Sequence, residues 1–297
     1  MFIYVYVKII LQNMNLREKE RDLPCLDFSL WTDEQLAKLP FIELLVLSFD
    51  GEASLHPGGV FSTERLFEEL NITSKDCVLE IGCGSAKDLC RLVENYDCRA
   101  IGIDSSDLIL KFAEHRVQKT GLSSKIRIIK GDVTNMNFFN DNQFDVVIAQ
   151  SVFATILDKD KAAREISRVL KSEGYFGDIE LIWVDEPDDE LVYNVEKRIG
   201  SFDRPLKSSE WIGLFRKVGF KETSIFTSND FGVPTDIFGV IRHNSSGGFV
   251  ESMKLLTLIM SRENRINLTE RTEHLRWMKD SGKIGYGIYV FEKILGS

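Results

Sequence analysis

Cys77-Val78-Leu79-Glu80-Ile81-Gly82-Cys83-Gly84-Ser85-Ala86 is the stretch on which the reading of this chain turns. Its first five residues form a short, mostly apolar run, the pattern of a buried strand. Glycines follow at 82 and 84, and from 86 to 95 the apolar residues recur at helical spacing. A strand that turns through glycines into a helix lets the backbone approach a ligand closely. It also aims the unpaired N–H groups of the helix at that ligand. A dinucleotide fingerprint is the obvious rival. Its third glycine would fall at Lys87, where close helix–strand packing leaves no room for a side chain. A carboxylate two residues before the first glycine is also out of place beside a pyrophosphate. Glu80 points instead to a ligand with positive charge or amine donors.

Outward from that loop the same rhythm repeats. Residues 99–103 read as a strand ending at Asp104, 106–120 as a helix, and 125–130 as a β-branched strand running into Gly131-Asp132. Strands follow at 144–149 and 174–183, with a helix at 159–170 between them and another at 208–218. Residues 222–227 and 284–294 supply two more strands. Alternation at this spacing requires crossovers and a parallel sheet. The expected fold is therefore α/β: a mostly parallel, seven-stranded sheet with helices on both faces.

The excess residues lie at two places. Residues 1–75 form an N-terminal extension and helical preface, with helical patterns at 33–49 and 62–70 and Ser62 or Thr63 as the cap of the second. Residues 1–13 read as an added edge strand or as a start placed too early, with Met14 the true first residue. Residues 76–230 and 284–297 make the core. Residues 231–283 form a helical insertion longer than a crossover needs, a lid or an interface.

Two further acids complete the site pattern. Asp104 ends the second strand twenty residues beyond the glycines, placed with neighbouring Ser105 to accept from ribose hydroxyls. Asp132 ends the third strand, where a carboxylate takes a proton from an adenine amino group, and Val133 packs on the ring. Three acids at the carboxyl ends of successive strands line one crevice. An adenosine carrying an ammonium and a sulfonium suits those charges; a diphosphate does not.

Here the chain resembles the class I S-adenosylmethionine-dependent methyltransferases. Residues 78–85 are similar to the first motif, Gly102-Ile103-Asp104 to the ribose-binding acid, and Gly131-Asp132-Val133 to the adenine motif. Phe144-Asp145-Val146-Val147 is similar to the fourth-strand motif. Residues 168–174 look like the turn before the fifth strand, with Ser-Glu where Pro-Gly is usual. The resemblance spans about 76–184 and implies a Rossmann-like core with S-adenosyl-L-methionine as cofactor. Its implied contacts are Glu80, Gly82, Cys83, Gly84, Asp104, Ser105, Asp132, Val133 and Gln150. Within the family the match runs closest to small-molecule methyltransferases, which often carry a His-Pro-Gly-Gly-like segment upstream, here His56-Pro57-Gly58-Gly59.

Methyl transfer needs a base only when the nucleophile must lose a proton. Glu180, Gln150 and His56 are the candidate catalytic residues, each with a structural alternative: a partner to an arginine for Glu180, a turn-stabilising role for His56. A small-molecule acceptor is the leading reading; a protein side chain, or cofactor binding without transfer, are the alternatives.

Composition narrows the partners. Of 297 residues 43% are hydrophobic and 28% charged, ordinary for a chain that fills a core. Thirty-seven basic against forty-six acidic residues give a net charge of −9, with no general attraction for polyanions. Gln150-Ser151-Val152-Phe153 replaces the Asn-Pro-Pro-aromatic tetrad of nucleic-acid base methylators, so DNA is not the expected partner. No apolar run reaches the ~20 residues of a membrane span. Five scattered cysteines match no common zinc spacing, so no metal is expected, and they fit a reducing, cytoplasmic setting. Oligomeric state stays open.

Overall fold

The computed structural model describes residue 43 and residues 56–199, 205–230 and 280–294. The readings for residues 1–13 and 33–49, and for 231–279 of the insertion, lie outside the described residues.

In chain order the described elements begin with α1 (Gly59–Glu69), β1 (Cys77–Ile81), α2 (Lys87–Tyr96) and β2 (Arg99–Asp104). Next come α3 (Asp107–Lys119), β3 (Ile126–Lys130), β4 (Phe144–Gln150) and α4 (Lys159–Val169). The series ends with β5 (Leu170–Trp183), α5 (Asp189–Ile199), β6 (Leu206–Lys207), α6 (Ser208–Arg216), β7 (Phe220–Ser228) and β8 (Ile284–Lys293). The sheet runs β3-β2-β1-β4-β5-β8-β7, with the two-residue β6 pairing to β5 off that path. The pairings from β3 through β5 are parallel, and β8 runs antiparallel to both β5 and β7. The mostly parallel expectation holds, with β6 as an eighth strand.

Strand alternation divides the core into two layers. In β1, Leu79 and Ile81 face one side of the sheet, where α4 and α6 bring Ala162, Ile166, Trp211 and Phe215. Val78 faces the other side, where α1, α2 and α3 bring Leu66, Phe67, Leu89, Val93 and Val117. Many of the phenylalanines concentrate in the first layer. Phe176 and Phe215 lie 4.6 Å apart, Phe215 and Phe291 4.9 Å, and Phe153 and Trp211 5.2 Å, the separations of offset and edge-on ring packing.

Three local expectations need correction. Neither Ser62 nor Thr63 caps α1: the helix starts earlier, behind Gly58 at φ +76°, and both hydroxyls lie buried in its first turns. A side chain at Gly58 would come within 2.7 Å of Ser62, so the turn itself sets the helix start. The turn expected at 168–174 is absorbed into β5, which pairs Leu170 with Phe144 and then shifts register to pair Tyr175 with Val146. The residues between form a bulge in which Glu173 takes a left-handed φ of +62°. Third, β3 stops at Lys130, so Asp132 lies past the strand end.

α3 carries the side-chain cap that α1 lacks. Ser106 accepts from the Ile109 N–H at the start of α3. Ser106→Ala should destabilise the fold by ~1 kcal/mol, read as a lower denaturant midpoint with unchanged slope.

Candidate functional site

Strand order reverses between β1 and β4, whose neighbours on either side are β2 and β5. A crevice forms at such a switch point outside the carboxyl ends of the strands, the place where open α/β sheets take ligands. The loop after β1 lies at its rim. Gly82 adopts φ +62° and Gly84 φ +54°. A Cβ at Gly82 would sit 2.6 Å from Val152, whereas one at Gly84 would meet nothing within 4 Å. Gly82 is thus required by the loop that follows β4, and the space over Gly84 is open.

Asp104 ties that loop to the end of β2. One carboxylate oxygen accepts from the Gly84 N–H at 3.1 Å, the other from the Ser106 N–H at 3.0 Å. Burial pushes its carboxyl above the usual carboxylate range, against the pull of those N–H groups. Ser105 beside it is exposed. The Cys83 side chain turns inward, packed against Gly102 where a Cβ would lie 2.8 Å from its sulfur. Burial raises its thiol well above normal, so only the Cys83 backbone faces the loop as a neutral partner.

Glu80 lies just beneath the glycines. It is 5% exposed; one oxygen accepts from the Gln150 amide at 3.1 Å, and the other has no hydrogen-bond partner among the described residues. Burial raises its carboxyl well above normal, and the Asp88 and Asp104 carboxylates add to that. A buried acid that ionises with difficulty beside two other acids is a site short of positive charge. A cationic ligand is the kind of group such a site can hold.

The remaining candidates are distributed unevenly. Gln150 sits beside Glu80, its other end accepting from Thr63. His56 is buried behind them, with Nε2 3.1 Å from the Thr63 hydroxyl and 3.3 Å from Asp88. Glu180 faces the opposite layer, where its carboxylate accepts from the Phe153 N–H at 2.7 Å and pins the loop after β4. Asp132 is exposed and accepts from the backbone and hydroxyl of Thr134, while Val133 is buried in the α4-side core. Thr63 and Asp88 were not singled out from the sequence as site residues; no spacing ties them to Gln150 or His56.

A family model described as a methyltransferase domain matches residues 79–177, the stretch that builds this crevice. Over those residues, a third of the chain, it is similar to the class I S-adenosylmethionine-dependent methyltransferases. That family's cofactor, S-adenosylmethionine, meets the donor set: an unpartnered carboxylate oxygen, an acid at the end of β2 and open space over Gly84. The chain is 27% identical over 179 residues to an uncharacterised protein of Haemophilus influenzae, covering 60% of this chain and 71% of that one. It is 30% identical over 161 residues to a sterol 24-C-methyltransferase of Aspergillus fumigatus. That match covers 52% of this chain and 42% of the sterol enzyme, so the chain spans under half the length of that relative. Among solved structures, a Galdieria sulphuraria protein assigned as a sarcosine dimethylglycine methyltransferase superposes with a TM-score of 0.72. It is 20% identical and covers 85% of this chain and 98% of its own, a likeness of fold.

Among the described residues no helix is long and apolar enough to cross a membrane. No three metal-ligating side chains gather among them either.

Proposed function

We propose that this chain transfers a methyl group from S-adenosylmethionine to a small-molecule acceptor at the crevice between β1 and β4. The observation that carries the reading is the buried, unpartnered oxygen of Glu80 beneath a glycine loop, with Asp104 beside it. In this reading Glu80 receives the cofactor's ammonium and Asp104 its ribose hydroxyls. Asp132 and Val133 border the adenine, while Gly82, Cys83, Gly84 and Ser105 offer backbone at close approach. Bound there, the cofactor supplies a methyl carbon on a cationic sulfur, which leaves as a neutral thioether and needs no acid.

The work left to the chain is orientation, worth up to ~7–11 kcal/mol when two reactants are held in line. Glu180 acts by holding the loop of residues 152–154 at the mouth of β4 rather than by taking the substrate's proton, since its carboxylate accepts from the backbone N–H groups of that loop. Gln150 is engaged at both ends of its amide, so it positions and does not act as a base. A small-molecule acceptor is favoured by the relatives, one named for sterol carbon methylation and one for a small amine.

Titration calorimetry with S-adenosylmethionine, followed by incubation with fractionated small metabolites and mass spectrometry, tests the reading. Cofactor binding and a metabolite gaining one methyl group are expected. Absence of cofactor binding would overturn it, and methyl incorporation into protein alone would move the acceptor to a side chain.

A further inference from the structure

We infer that His56 and Thr63 are positioning residues that hold Glu80 for the ammonium end of the cofactor, through a one-directional chain of hydrogen bonds. The inference rests on the assignment of Glu80 to that ammonium. The chain begins in the segment before the sheet and ends under the glycine loop, so two parts of the sequence far apart act on one carboxylate.

The direction of each bond follows from which atoms can donate. With Glu80 ionised, its carboxylate only accepts, so the Gln150 amide nitrogen must face it, at 3.1 Å. The Gln150 carbonyl then faces Thr63, which donates to it at 2.9 Å. A hydroxyl has one proton, and that bond uses it. The contact on the other side of the Thr63 oxygen, 3.1 Å from His56 Nε2, is therefore one in which the imidazole donates. Asp88, 3.3 Å from the same nitrogen, also only accepts when charged, and so selects the same protonated Nε2. Burial opposes the charge on Asp88, but the hydrogen bond from His56, with the Arg91 and Lys87 charges nearby, outweighs it and holds its carboxyl below the usual range.

The seat of His56 is built with equal care. Its Nδ1 lies 3.3 Å from the Pro57 carbonyl and 3.4 Å from Ser62, whose hydroxyl reaches the Pro57 and Gly59 carbonyls at 2.7 and 2.9 Å. From His56 Nε2 through Thr63 to Gln150 the shorter contacts run toward Glu80; the Nε2 proton is shared with Asp88, and Thr63 Oγ1 also lies 3.4 Å from the Gly59 carbonyl. Chains of this kind polarise one another, which favours the charged carboxylate and fixes which of its oxygens is left for a ligand. The free oxygen is the one without a partner.

Helix docking alone would also account for a buried histidine and threonine, so the test separates ligand ends. Thr63→Val keeps the branched shape and removes the donor. Binding of S-adenosylhomocysteine, which carries the ammonium, is compared by calorimetry with binding of 5′-methylthioadenosine, which lacks it. S-adenosylhomocysteine should weaken about tenfold, ~1.4 kcal/mol, methylthioadenosine should stay within about twofold, and Thr63→Ser should restore the first. His56→Ala probes the same line from its other end and should show the same selective loss, which keeps the inference testable if Thr63→Val folds poorly. Equal losses for both ligands, or no loss for either, would overturn the relay while leaving the cofactor site standing. Failure of the unsubstituted protein to bind S-adenosylhomocysteine would overturn the reading of the crevice, and the relay with it.

Discussion

Asp104→Ala is expected to weaken S-adenosylmethionine binding about a hundredfold, the largest loss from any single substitution in the crevice. Hydrogen bonds to a charged group contribute ~1.5–3 kcal/mol each, and a ribose offers two hydroxyls to one carboxylate. Asp104 also accepts from the Gly84 and Ser106 N–H groups, so its removal loosens the loop that the cofactor must lie against. Calorimetry measures the affinity, and thermal unfolding without cofactor separates a binding defect from a folding one. Asp104→Asn keeps one acceptor oxygen and should fall between the two. Affinity unchanged in Asp104→Ala would remove β2 from the site and with it the proposed orientation of the cofactor.

The strands from β1 to β5 and the glycine loop were legible in the sequence because their signals are local. A strand covered by helices on both faces reads as a nearly continuous apolar run, and Val78 to Ile81 or Phe144 to Ala149 carry that run within a few residues, each broken by a single acid, Glu80 or Asp145. Asp104 was legible for the same reason, as the acid that ends such a run. Features set by distant partners left no such mark. Thr63 bonds to Gln150 across 87 positions and His56 to Asp88 across 32, and no periodicity connects either pair. Thr63 has the chemistry of a cap and stands where a cap would stand, so local reasoning assigned it one. The bulge before Gly174 is a mismatch in cross-strand register, visible only once β4 and β5 are paired. β6 has two residues, too few to show alternation. Glu180 reads as an acid near the end of a strand. What separates it from Glu80 is the neighbourhood: one faces the glycine loop, the other the backbone of Phe153.

Glu180 and its neighbour Asp178 carry the other large effect, on stability. Both project into the α4-side layer of β5, Glu180 1% and Asp178 0% exposed, and among the described residues neither Asp178 oxygen has a side-chain hydrogen-bond partner. Burial raises Glu180 to about 8, against backbone N–H groups of the loop and the Lys159 charge, which pull it down. Burial and the adjacent Glu180 raise Asp178 well above its normal range. The folded protein therefore keeps protons that the unfolded chain releases near the usual carboxylate values of about 4. Between that range and pH 8 the native state binds more protons, so unfolding free energy falls as pH rises through this window and levels off above it. Glu80 and Asp104, also raised by burial, act in the same sense, and two other carboxylates act in the opposite one. Asp88 and Glu165 are held below normal and lose stability only under more acidic conditions, outside the upper part of the window. Asp178→Asn keeps the shape and removes the ionisable group, so it should stabilise the protein at pH 8, read as a higher denaturant midpoint. At pH 5 it should change stability little, and the slope between should flatten. Denaturant unfolding at the two pH values reads all three quantities. A parent protein that grows more stable from pH 5 to pH 8, with the variant unchanged relative to it, would mean that the pair is ionised in the fold and that a partner for Asp178 must be sought there.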